Sequence, residues 1–84
     1  MKLKIDATVC WQRVDGQVYI TREDEFVMLN KSASLIWMGI HQRKSDREII
    51  SYLLEQYDVD EAVIESDINE IIDCLIEKGF VRYA

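Results

Sequence analysis

The chain contains no proline. That excludes a Pro-rich linker and leaves every helix free of a proline kink. Cysteine and histidine are nearly as scarce, at two and one residues. Cys10 and Cys74 lie far apart and neither has a CxxC partner, so they read as plain apolar thiols of a reducing compartment. His41 stands alone, whereas a metal site needs three or four ligands; it is assigned to the surface, and neither metal nor cofactor is expected. A single histidine leaves no Ser/His/Asp or Cys/His set to assemble. GxGxxG and Walker A patterns are also missing, so no catalytic residue is nominated. No apolar run is long enough to span a membrane. The opening MKLKIDATVCW lacks a secretory apolar region and a small-residue cleavage site. A cytoplasmic location is therefore expected.

What is present fits one small domain over residues 1–84, with 49% hydrophobic residues. Net charge is −6, with the acidic residues concentrated between Asp58 and Glu77. That balance disfavours DNA, RNA and anionic lipid, which are polyanions themselves, and permits a basic peptide.

The first third has strand character. Leu3, Ile5, Ala7, Val9 and Trp11 share one parity, as on one face of a long or broken strand. Asp15-Gly16 is a strong hairpin signal. It is followed by a second strand, Gln17 to Thr21, a polar turn at Arg22, Glu23 and Asp24, and a third strand, Glu25 to Leu29. The period then changes from 2 to 3.6. Asn30 or Ser32 caps a helix carrying Ala33, Ile36, Trp37 and Ile40, with Trp37 expected in the core. Trp11, on a strand, fits either the core or a partner contact. After the connector Gln42-Arg43-Lys44, Ser45 and Glu48 form a capping box that opens a second helix. A third helix starts at Asp58 or Asp60, runs to about Lys78 and stops at Gly79. Phe80 to Tyr83 is extended and folds back on the body. Three strands followed by three helices give an α+β class, a three-stranded antiparallel sheet with a winged helix-turn-helix-like set of helices.

Ile64, Ile68, Ile71 and Leu75 form the central stripe of the third helix. Ile72 and Ile76 widen it on one side, Cys74 and Val63 on the other. A stripe of about 100° suffices to pack on one core, so the excess either lines a groove or is core of a small bundle. The carboxylates of the same helix, among them Asp67, Glu70 and Asp73, read as a solvated face rather than an acid/base pair. If the third strand ends the sheet, its free N–H and C=O groups form a docking edge for another peptide.

These segments resemble the PqqD-like family. The resemblance rests on Leu29-Asn30 at a strand end, Ala33 with Ile36-Trp37 in a helix, Tyr57 with Val59 after the next, and Leu75 with Gly79-Phe80 at the close of the last. It covers roughly residues 15–82, and its specificity lies in the ordered set. It implies a recognition element for ribosomally made, modified peptides, with the leader region of a precursor adding as a fourth strand. The bound precursor is then presented to a leader peptidase or another modifying enzyme. Lasso-peptide biosynthesis is favoured, with a PqqD-type peptide chaperone for a radical-SAM enzyme as the alternative.

On this reading Glu25, Phe26, Val27, Met28 and Leu29 supply the backbone ladder. Phe26 and Met28 take one face and Val27 and Leu29 the other. Asp67, Ile68, Ile71, Cys74, Leu75 and Lys78 line the helix side of the groove. A proline at Val27 is expected to remove a ladder donor. A winged-helix nucleic-acid binder would need a basic recognition helix, and the third helix is acidic. An adaptor for a protein partner remains a further alternative, while a small enzyme lacks its acid, base or nucleophile set.

Overall fold

The fold is known as a computed structural model that describes residues 3–83. Strands β1 (Leu3–Ile5), β2 (Cys10–Val14), β3 (Gln17–Arg22) and β4 (Glu25–Met28) precede helices α1 (Lys31–His41), α2 (Asp46–Gln56) and α3 (Glu61–Glu77), and β5 (Val81–Tyr83) closes the chain. The α+β class and the three-stranded antiparallel sheet are as expected. Its order is β2-β3-β4, and a second, two-stranded sheet pairs β1 with β5.

The single parity of the first third is a broken strand. Asp6 interrupts it: its carboxylate accepts the Thr8 N–H and hydroxyl at 2.8 and 2.6 Å, while its own N–H donates to Phe80 O at 2.9 Å. Leu3 and Val9 are buried, whereas Ala7 between them is exposed. Phe80 to Tyr83 does fold back, as the partner of β1.

Both hairpins of the larger sheet close through two residues. Asp15 and Gly16 have φ of 54° and 79°, the left-handed pair that a type I′ turn requires. In the second hairpin Arg22 pairs with Glu25, so Arg22 belongs to β3 and only Glu23 and Asp24 turn.

Helix ends follow local chemistry. Asn30 caps α1 by accepting the Ala33 N–H. Ser45 and Glu48 make the full capping box of α2. Asp60 precedes α3 without a side-chain cap bond. At the other end of α3, Gly79 takes φ 76°, Phe80 N–H donates to Leu75 O at 3.0 Å, and Gly79 N–H donates to Ile76 O at 2.9 Å. This is a Schellman motif, with its apolar contact supplied by the buried pair Phe80 and Leu75.

Helix α1 is the hub, packing on α2, α3, β1 and β3. Val18 and Ile20 from β3, Ile36, Trp37 and Ile40 from α1, Ile68 from α3, and Phe80 form the inside of one continuous core. Trp37 is fully buried, as expected. Trp11 is half-buried, edge-on to Trp37 at 6.0 Å and to His41 at 4.8 Å.

Candidate peptide-binding groove

Strand β4 bonds to β3 along one edge; among the described residues nothing pairs with its other edge. Which backbone groups face outward follows from the ladder phase. Leu29 N–H donates to Val18 O at 2.9 Å, and Ile20 and Arg22 lie opposite Val27 and Glu25. In an antiparallel pair the inward groups alternate along each strand. The N–H and C=O of Glu25, Val27 and Leu29 thus turn to β3, and those of Phe26 and Met28 turn to the free edge. This corrects the expectation for Val27: its N–H belongs to the β3–β4 ladder, and a proline there would damage the hairpin itself. The two-residue turn at Glu23–Asp24 carries the signal, because it makes Arg22 and Glu25 the closing hydrogen-bonded pair. Counting Arg22 into the turn hides that phase.

The side chains divide the same way. Val27 packs against the core and Leu29 is buried. Phe26 and Met28 point away from the helices, 65% and 57% exposed, with Tyr19 beside Phe26 at a ring distance of 5.9 Å.

The backbones of α3 and β4 stay apart among the described residues. At one end, Arg22 at the base of the hairpin donates to Gly79 O (2.9 Å) and Lys78 O (2.6 Å). At the other end, Ser32, just past β4, lines a cleft of about 170 Å³ together with Tyr57, Val63, Asp67, Ile68 and Ile71. Between these points β4 neighbours only β3 among the described residues. The rise of α3 from Asp67 to Lys78 is about 16 Å, close to the length of a five-residue strand at about 3.3 Å per residue. The gap therefore has the length and bare edge that one short strand needs.

The six residues expected on the helix side separate into two rows. Asp67, Ile71, Cys74 and Lys78, spaced at helical intervals, form an outward row in which Ile71 is half-buried and the others are exposed. Ile68 and Leu75 lie behind it, 1% and 3% exposed. They are core residues; Ile68 reaches the cleft only as part of its floor. The wide apolar arc of α3 is thus core on the Ile72 side, which is buried, and open on the Val63 and Cys74 side.

Two residues that position the groove escaped the sequence reading. Arg22 is one. The other is Ser34, buried in α1, whose Oγ accepts the Val18 N–H at 2.9 Å and donates to Leu29 O at 3.3 Å. It fills the place in the ladder where β4 leaves β3. Neither has a local signature, because their partners come from other elements.

The model of the family "Coenzyme PQQ synthesis protein D (PqqD)" matches residues 17–81. The chain belongs to the PqqD family. Among solved structures, this PqqD-family chain is similar to TbiB1, solved in complex with the TbiA(beta) leader peptide. The two share 25% identity and a TM-score of 0.89 over 96% of this chain and 98% of that one. It is also similar in fold to a lasso peptide synthetase B1 solved with its leader peptide, at 20% identity and a TM-score of 0.88 over 99% and 100% of the two chains. No curated protein sequence matches it significantly. No helix is long and apolar enough to cross a membrane among the described residues.

Proposed function

We propose that this PqqD-family protein binds the leader region of a ribosomally made precursor peptide by strand addition to β4, and presents it to a processing enzyme of lasso-peptide biosynthesis. The carrying observation is the free edge of β4 at Phe26 and Met28, together with the outward row Asp67, Ile71, Cys74 and Lys78 of α3. Main-chain bonds to those two residues supply affinity, and alternate side chains of the added strand, directed past Val27 toward Ile71 and the Ser32–Asp67 cleft, supply selectivity. Glu25, Val27 and Leu29 keep the edge straight by holding it to β3; Ile68 and Leu75 support the groove from behind. Asp67 with the neighbouring carboxylates Glu70 and Asp73 favours a cationic leader and raises the association rate more than the affinity.

On this reading residues 1–84 act as one cytoplasmic peptide-recognition domain whose role is binding rather than catalysis. Its second partner is a leader peptidase or another peptide-modifying enzyme. The leader-bound state of the similar structures favours the lasso reading. The family match keeps a second reading in view, delivery of a peptide to a radical-SAM enzyme.

The test is fluorescence anisotropy of a labelled leader from the precursor encoded beside this protein's gene, with a scrambled leader as control. Saturable binding of the true leader alone is expected. Equal binding of both, or of neither, would refute the reading.

A further inference from the structure

Resting on the leader-binding reading, we propose that Arg22 is a positioning residue: it holds β4 at a fixed separation from α3 and keeps the groove at the width of one strand. Its guanidinium makes two donations to consecutive carbonyls, Lys78 O and Gly79 O, at 2.6 and 2.9 Å. These carbonyls close the C-terminal end of α3, where unpaired acceptors and partial negative charge collect. The same group sits over the Phe80 ring, 4.9 Å from its centroid. Gly79 supplies the left-handed backbone, φ 76°, at this end of α3, and the Arg22 guanidinium lies against it in ordinary van der Waals contact.

The position of Arg22 in the hairpin converts this contact into control of the edge. Arg22 pairs with Glu25, the first residue of β4, and its Nη2 also lies 3.7 Å from Glu25 Oε1. Where Arg22 goes, the start of β4 follows. The other end of β4 is tied by Ser34 through Leu29 O. Between the two ties the backbone of β4 neighbours only that of β3 among the described residues, and Val27 is its one side chain packed inward on the core. A planar fork suits two adjacent carbonyls and an aromatic face at once, which an ammonium cannot reproduce.

The experiment compares R22A, R22K and a control, I49V, which trims a buried residue of α2 outside the groove. Binding of the labelled leader from the neighbouring precursor gene is followed at equilibrium and by stopped flow. Hydrogen exchange at the Val27 amide, which faces β3, reports opening of the hairpin in the free protein. R22A is expected to weaken binding about tenfold by lowering the fraction of protein with a competent groove. The loss falls mainly on the association rate and comes with faster Val27 exchange. R22K recovers part of it, and I49V binds within about twofold of the parent. Equal binding by R22A and I49V would overturn the inference. So would a loss carried only by the dissociation rate with Val27 exchange unchanged, which would make Arg22 a direct peptide contact. If the parent protein binds no leader, the functional reading fails by itself. Val27 exchange then decides the latch: faster in R22A than in I49V upholds it, and equal rates overturn it.

Discussion

A proline placed at Met28 and one placed at Val27, one residue apart, should have opposite consequences. The Met28 N–H faces the free edge, so Met28→Pro removes no bond to β3, and its side chain is already 57% exposed. Proline is tolerated on an edge strand where the missing N–H pointed to solvent. The change in folding stability should stay within about 1 kcal/mol, since the entropy removed from the unfolded chain offsets part of the backbone constraint. Peptide binding should suffer much more. One ladder bond disappears and a leader carbonyl is left unpaired beside the new ring, a loss of about 1–3 kcal/mol. That corresponds to roughly a five- to 150-fold rise in Kd. Val27→Pro instead breaks the bond to Ile20 inside the hairpin and should lower folding stability by about 1–3 kcal/mol. Anisotropy titration and thermal or denaturant melts measure the two quantities on the same variants. Parent-like binding by Met28→Pro would refute the ladder phase and, with it, the use of this edge.

Cys74 lies on the outward row of α3 and Cys10 on β2, both exposed; bound leader should slow alkylation of Cys74 and leave that of Cys10 unchanged, as read by mass spectrometry. Ser34→Ala should lower stability by about 1–3 kcal/mol in urea melts, because it strands the Val18 N–H in the core. At Gly39 a Cβ would stand 2.7 Å from Ile49 Cγ1, so Gly39→Ala should force the α1–α2 crossing apart and cost about 1–3 kcal/mol in the same assay. The hydrogen bonds from the Thr8 hydroxyl and N–H hold the Asp6 carboxyl below the usual aspartate range. Its folded midpoint is depressed, so its contribution to stability is present above the unfolded aspartate value of about 3.9 and is lost as pH falls through the lower folded midpoint. Thr8→Val should raise that midpoint in an NMR titration.

The parts of this molecule legible from sequence are those decided within a few residues. Asn30, the Ser45–Glu48 box and Gly79 each act on backbone groups one turn away, so their roles follow from spacing. Asp15-Gly16 behaves likewise, since only a left-handed pair fits a two-residue turn between twisted strands. The break after Ile5 was legible only as an open choice, because the alternating pattern continues through Ala7 although that residue faces solvent. The stripe on α3 was legible as too wide for one core. Which side of it packs depended on where β5 and α2 lie, and spacing along one helix carries no such information.

Periodicity and turn chemistry therefore determined by themselves the α+β class, the two hairpins, the three helices and the capping box of α2, and offered the third strand as an edge only on condition that it ends the sheet. The tertiary structure decided which groups of that edge are free, which α3 residues face the gap, and how the gap is held. The physical reason is distance along the chain. Arg22 meets Lys78 and Gly79 across 56 and 57 residues, and Ser34 reaches Val18 across 16. Such contacts exist only once the core has brought the hairpin, α1 and the end of α3 together.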